Sequence, residues 1–444
     1  MAYDPALSKS YSQQELKKLG SVVLFVCFLM ALTFRTVLKQ PDSSAPDLFG
    51  LDSLAAIFSP PDPSEPDSKA PLIRNLSSWK SDVLEITGDI RIHGPSSTVF
   101  VASTSPWPTA SSIYPYARKG DKYIMDRFVT RWQISPQPPP KLPKCHRWLL
   151  APAVLFSGGG YSGNHFHDFT DILIPLYLTA KQFNRDVHLL VADPRREWLQ
   201  KYKLVLGKLS RHVSIDVSGS EKSVLCFGRA VLGLRAHKEF GIDPSQTPHY
   251  TMAGFRGFMR ATFSLPRAVG PPLAAGPRPR MLIISRVANR FLTNEDEVAN
   301  GARGLGFEVD VGETRWNVTE TSRQVNTYDV LVGVHGAGLA NMVFLPEGGV
   351  VLQIIPFGAD LWAKPYFGRP TREMGLKYLE YEVGLNESSL LGKYPADSEV
   401  YRDPGAVYEK GFFHFHAVYL KDQNVTLDFS RFKEVLIRAY ELCL

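Results

Sequence analysis

Several absences narrow the possibilities for this 444-residue chain. No Asp-x-Asp occurs in it, so a metal-bridged diphosphate held by that motif is excluded. Its four cysteines form no Cys-x-x-Cys, which argues against zinc ribbons and dithiol redox chemistry. No basic run, zinc-ligand spacing or other nucleic-acid motif appears, and nucleic acid is not an expected partner. Paired carboxylates able to flank a glycosidic bond are also missing from the one acid-rich motif. Asp168 and Asp171 stand three apart on one predicted helix, which removes a hydrolase reading. Apolar residues make up 44% and charged residues 21%, which excludes collagen, coiled coil and wholesale disorder. The length is about three times the roughly 150-residue domain prior, enough for a tail and two domains.

The net charge of +6 is unevenly placed. Residues 1–40 carry Lys9, Lys17, Lys18, Arg35 and Lys39 against Asp4 and Glu15. Residues 41–71 hold six acids against Lys69, so the remaining body is basic and suits an anionic small ligand. Leu19 to Phe34 contains no charge, and Arg35 can snorkel to lengthen this run to a short membrane span at 19–38. The lysines before it predict a cytosolic tail at 1–18 and a lumenal body in type II orientation. No Ala-x-Ala-like site follows, which favours an anchor over a cleaved signal. Residues 39–74 are rich in proline and serine and read as a flexible stem. Sequons at Asn75, Asn317, Asn386 and Asn424 suit a glycosylated lumenal protein. In that oxidising setting Cys145 and Cys226 are the expected disulfide, since both lie in one predicted domain.

Strands and helices alternate from Ala153 onward, and this pattern predicts α/β folding with parallel sheets. An N-terminal α/β domain spans 75–270. The proline- and glycine-rich stretch 271–280 reads as a linker, and a second α/β domain fills 281–444 and ends in a helix from Asp428. Thr293 with Asp296 resembles a capping box opening a helix to Arg303.

Three constellations carry chemistry. Gly158 to Asp171 lies between a strand and a helix. There His167 and Asp171, four apart, share a face, and the carboxylate can fix the ring tautomer for general-base work. Asp168 is an alternative base, and Asp121 a further one. Asn164 is placed to cap the helix, and Pro175, which lacks the amide that would bond Asp171, predicts a kink. The second constellation, Gly333 to Asn341, follows a strand, and His335, Gly336, Gly338 and Asn341 form a glycine turn where a helix start can meet an anion. The third places Arg286 and Arg290 after the strand from Met281, as a diphosphate clamp.

Together these motifs, with Tyr114-Pro-Tyr-Ala-Arg-Lys-Gly-Asp121, the Ile-Ile-Ser-Arg286 strand and His335-Gly-Ala-Gly-Leu339, resemble plant glycosyltransferase family 61. Pro346 to Gly349, Tyr366-Phe-Gly368 and Met374 to Tyr381 are similar to the grass members that substitute xylan. Two departures from the family pattern are Gln353, where Glu is common, and Gly159-Gly160, where a side chain is common. The resemblance implies a GT-B fold, two Rossmann-like domains facing a cleft. It implies inverting transfer of arabinofuranose or xylose from a UDP-sugar to xylan in the Golgi. On that reading Arg286, Arg290, His335, Gly336, Gly338 and Asn341 hold the donor, no metal or other cofactor is needed, and Tyr161, Trp107 and Tyr114 are stacking platforms for the acceptor. Oligomers with itself or with other xylan-synthesis proteins are expected partners. The alternative is a non-catalytic member that assists a xylan-synthesising complex.

Overall fold

Alternating apolar residues explain the first long strand. Leu84, Ile86, Ile90 and Ile92 are buried and the intervening side chains are mostly less so, the period-two pattern of a sheet with one covered face. The computed structural model describes residues 71–104, 112–219, 223–270, 278–313 and 317–444. The predicted tail and anchor, the stem up to residue 70, most of the linker, and Trp107 lie outside these, whereas the last stem residues, 72–74, are not flexible stem but strand paired in the first sheet. Among the described residues no helix is long and apolar enough to cross a membrane.

The strands are β1 (Leu72–Asn75), β2 (Leu84–His93), β3 (Thr98–Ala102), β4 (Ser112–Ile113), β5 (Trp132–Gln137), β6 (Arg147–Leu149), β7 (Ala153–Ser157), β8 (His188–Ala192), β9 (Ile215–Asp216) and β10 (Val224–Leu232) in the N-terminal half. They form one sheet in the order β4-β5-β3-β2-β10-β7-β8-β9, with β1 beside β2 and β6 beside β10. The β10-β7-β8-β9 part is parallel, as the alternating pattern from Ala153 predicts. The rest is largely antiparallel meander, so this half is a mixed sheet and not a purely Rossmann-like one. Cys145 and Cys226 form a disulfide with a Cα–Cα distance of 6.1 Å.

The C-terminal half holds β11 (Arg280–Ile284), β12 (Glu308–Gly312), β13 (Val330–Val334), β14 (Val350–Ile355) and β15 (Lys377–Glu382). All pair in parallel, in the order β12-β11-β13-β14-β15. The central strands β13 and β14 are buried along their whole length, as parallel strands covered on both faces must be. Strand order reverses between β11 and β13, so the crevice outside their carboxyl ends is the sheet's topological switch point.

The predicted linker separates two sheets but not two cores. Phe169, Phe255 and Met259 share one buried cluster with Leu339, Met342, Phe344 and Val351. The helix Met252–Phe263 sends buried Arg256 across, where it donates to the carbonyls of Leu345 (2.7 Å) and Met374 (3.3 Å). Two local expectations need correcting. The helix Glu295–Gly304 begins after Asn294 without a side-chain cap, because the Thr293 hydroxyl bonds the Val425 carbonyl and Thr426 instead. The segment after the glycine turn, Ala337–Phe344, is 3₁₀ and not α-helical. The final helix, Phe429–Glu441, starts at Asp428, whose carboxylate accepts from the amides of Ser430 and Arg431.

Candidate active site

The N-terminal part of the site follows β7. A Cβ on Gly160, whose φ is +60°, would collide with the Tyr116 ring, and one on Gly159 would collide with the Phe128 carbonyl. The turn therefore tolerates no side chain at either position. Asn164 then caps the helical turn His165–His167 by accepting from the Phe166 amide. The expected kink takes the form of a π-helical turn, Asp168–Leu173, in which the Ile174 amide reaches back to the Phe169 carbonyl. The missing amide of Pro175 favours that wider register.

The π turn buries Asp168 and Asp171 completely but gives them different surroundings. Asp168 accepts from the Gly163 amide (2.7 Å), Trp198 Nε1 (2.9 Å), the Tyr202 hydroxyl (2.9 Å) and Lys201 Nζ (3.1 Å). Its lone pairs are taken up in tying the turn to the next helix. Asp171 accepts from Arg118 Nε (2.8 Å), the Tyr116 hydroxyl (3.1 Å), Lys80 Nζ (3.4 Å) and His167 Nδ1 (2.9 Å). Burial alone would raise its pKa, but Arg118 and then Lys80 hold the carboxyl well below the usual range. Asp171 is thus ionised and acceptor-only, so His167 must carry its proton on Nδ1. Its Nε2 is then the basic nitrogen.

Lys80 and Arg118 also bind Glu239, at 2.6 and 3.2 Å, which leaves two cations matched by two anions behind the ring. Tyr161 stacks on His167 with ring centroids 4.4 Å apart, and its hydroxyl donates to Asp121 at 3.1 Å. The other oxygen of Asp121 caps the helix Lys122–Phe128. Sequence reasoning missed Lys80, Tyr116, Arg118 and Glu239. They are scattered through the chain with no shared spacing, and only the Tyr114–Asp121 motif held a signal, for Tyr116 and Arg118.

The C-terminal part sits at the switch point. Arg286 follows β11 and donates from Nε and Nη2 to the Asn289 carbonyl and side-chain oxygen, both at 2.8 Å. Its guanidinium lies against Gly336, where a Cβ would strike it. Arg290 is buried, and its Nε has no partner among the described residues. Burial, and then the Arg286 charge, push its pKa down to about 9. No carboxylate among the described residues pairs with either arginine. His335 follows β13, and burial and then the charges of Arg290 and Arg286 lower its pKa to about 3. Asn341 joins the two halves. It accepts from His165 Nε2 at 2.9 Å, and its own amide donates to the Gly338 carbonyl.

Aromatic rings link the two parts. Phe166, next to His167, lies 5.3 Å from Tyr366 and 5.7 Å from Phe367, and His335 lies 5.5 Å from Phe367. The His167 ring, held at Nδ1 by Asp171, therefore shares one lined region with two arginines that have no carboxylate partner among the described residues.

A family model, Glycosyltransferase 61, matches residues 165–352. The chain is 35% identical over 385 residues to a beta-1,2-xylosyltransferase (XYXT1) of Oryza sativa subsp. japonica, covering 82% of each protein. It is 34% identical to a xylan glycosyltransferase (MUCI21) of Arabidopsis thaliana, covering 95% of this chain and 89% of that one. The chain belongs to glycosyltransferase family 61. It is also 40% identical to an alpha-1,3-arabinosyltransferase (XAT3) of the same rice, over 83% of this chain but only 64% of that protein's length. The family-matched segment opens at His165 and closes at Leu352. It encloses His167, Asp171, Glu239, Arg286, Arg290 and His335, whereas Lys80, Tyr116, Arg118 and Tyr366 lie outside it.

The remaining predicted positions lie apart from this site. The sequon residues Asn75, Asn317 and Asn386 are exposed, whereas Asn424 is half-buried and accepts from the Phe291 amide. Cys443 is the free cysteine among the described residues, and burial pushes its thiol up to about 12.

Proposed function

We propose that this family 61 chain is an inverting glycosyltransferase that moves a pentose, arabinofuranose or xylose, from a UDP-sugar to xylan. The observation that carries this reading is the pair of arginines without an acid partner at the switch point of the parallel sheet. That is where open α/β sheets bind ligands, and a buried, unpaired cation calls for an anion. Arg286, Arg290 and His335 receive the donor diphosphate on this reading, with Gly336 allowing its close approach. The two sheets facing this region suit a GT-B arrangement.

The acceptor side follows from His167. Its Nε2 takes the proton of an incoming xylan hydroxyl as that oxygen attacks the anomeric carbon. Attack from the face opposite the diphosphate inverts the configuration there. Charge on the departing UDP is met by the arginines, so the chemistry needs no metal. Tyr161 over His167, and the exposed Tyr123 and Phe413, whose rings lie 5.4 Å apart, offer stacking faces for a neutral sugar chain. The names of the relatives support a xylan acceptor. The apolar run at 19–38, free of charge as far as Phe34, and the sequons support a type II Golgi membrane protein with a lumenal catalytic body. The intact network in which Lys80 and Arg118 join Glu239 to Asp171, and Asp171 holds His167, favours an enzyme over a non-catalytic assembly partner.

The test is incubation of the purified chain with UDP-arabinofuranose, UDP-xylose and other UDP-sugars on xylo-oligosaccharides, with and without EDTA. Transfer of one pentose with inversion, largely retained in EDTA, is expected. No transfer from any UDP-pentose would leave the assembly-partner reading in its place. Complete loss in EDTA, restored by manganese, would contradict charge neutralisation by arginine.

A further inference from the structure

We infer that Gln353 is a positioning residue that holds His335 as a neutral ring with its proton on Nε2, so that His335 serves the donor diphosphate only as a hydrogen-bond donor. The inference rests on the donor placement proposed above.

Gln353 lies on β14, beside the strand that leads to His335, and is fully buried. Its Nε2 is 3.1 Å from the Ala363 carbonyl and 2.9 Å from His335 Nδ1, and its Oε1 is 2.9 Å from the Tyr378 hydroxyl. A carbonyl oxygen has no hydrogen to offer, so the atom facing Ala363 must be the amide nitrogen. The second hydrogen of that NH₂ then points at His335 Nδ1, which must present a lone pair. A neutral imidazole has one proton, and here it is left on Nε2. The imidazolium form is opposed twice. It would set an Nδ1–H against the amide N–H, and it would add a third charge beside Arg286 and Arg290. The other groups packed on the ring, Tyr366 and Phe367, bring aromatic faces.

The two site histidines thus have opposite polarity, decided by the partner on Nδ1. The Asp171 carboxylate makes His167 Nε2 an acceptor, and the Gln353 amide makes His335 Nε2–H a donor. In the transfer, the hydroxyl proton goes to His167 Nε2 and the glycosyl–oxygen electron pair leaves with UDP as an anion. His335 Nε2–H, Arg286 and Arg290 receive that anion, and no proton passes through His335.

The test is ¹⁵N NMR of the full-length chain carrying labelled histidine, with His335→Asn used to assign the ring, plus kinetics of Gln353→Glu. The expected result is a bare Nδ1 and a protonated Nε2 for His335 from pH 5 to 8, with the Nε2 signal moving when UDP is added. A carboxylate at 353 draws the proton to Nδ1 and exposes an Nε2 lone pair to the diphosphate. Gln353→Glu should therefore lose about ten- to a hundred-fold in kcat/KM at neutral pH. The deficit relative to the parent should shrink toward acid, as the imidazolium regains Nε2–H. A protonated Nδ1, or a His335 ring titrating between pH 5 and 8 in the parent chain, overturns the inference irrespective of UDP. If the tautomer is as stated but UDP binds without moving the His335 signals, the donor placement is what fails, and the role of Gln353 fails with it.

Discussion

At the scale of single residues, the site depends on what each polar group already holds. Asp168 and Asp171 are three positions apart and equally buried, yet Asp168 is spent on four structural donors, whereas Asp171 keeps one contact for a histidine. Sequence alone could not rank them as bases, because the ranking depends on Lys80, Arg118, Trp198, Lys201 and Tyr202. The position of Arg286 beside Gly336 was legible, since a strand ending in Ser285-Arg286 and a glycine turn after another strand are local signals. Arg286→Ala should weaken UDP binding by about 1.5–3 kcal/mol, the scale of a hydrogen bond to a charged group, without unfolding the chain. Calorimetry with UDP reads this directly, and unchanged affinity would remove Arg286 from the donor site.

At the scale of elements, the α/β alternation from Ala153 was plain in the sequence. The β2–β5 region was not, because a single short helix, Lys122–Phe128, interrupts those strands and their connections lack a repeating signal. The π turn was visible only as the expectation of a kink at Pro175. Its consequence is that His167 and Asp171 face each other across a widened turn. Pro175→Ala restores an amide able to bond the Asp171 carbonyl and should let the turn tighten toward α register, shifting His167 against Asp171 although the two remain an i,i+4 pair. A fall in kcat of about ten- to a hundred-fold is expected, since roughly 1 Å of misplacement has that effect, with UDP affinity kept. If kcat and the His167 ring signals stay unchanged, proline is not what sets the register.

At the scale of the whole molecule, two histidines must stay neutral: half-buried His165, which joins the halves through Asn341, and buried His335. Burial, and then Lys201, lower the His165 pKa to about 4, and His335 is lowered to about 3. In the unfolded chain both titrate near 6.5, so between that pH and the folded values the unfolded state binds more protons. Stability should therefore be full above about pH 6.5 and should fall on acidification by up to about 1.4 kcal/mol per pH unit for each ring. Asp171, whose folded pKa is depressed, adds a loss only below the ordinary carboxylate range. Urea denaturation from pH 8 to 4 measures the slope, and His165→Gln should flatten it. A stability independent of pH over that range would mean that these rings are charged or exposed.

In the proposed mechanism the base lies on the N-terminal half and the diphosphate on the C-terminal half. The most direct test is the turnover of His167→Ala with UDP-pentose and xylo-oligosaccharide, taken together with its UDP affinity. A kcat lower by roughly 10²–10⁴, the usual contribution of a general base, is expected, with UDP affinity unchanged and the acid limb of the pH profile gone. A variant that turns over at close to the parental rate would contradict it.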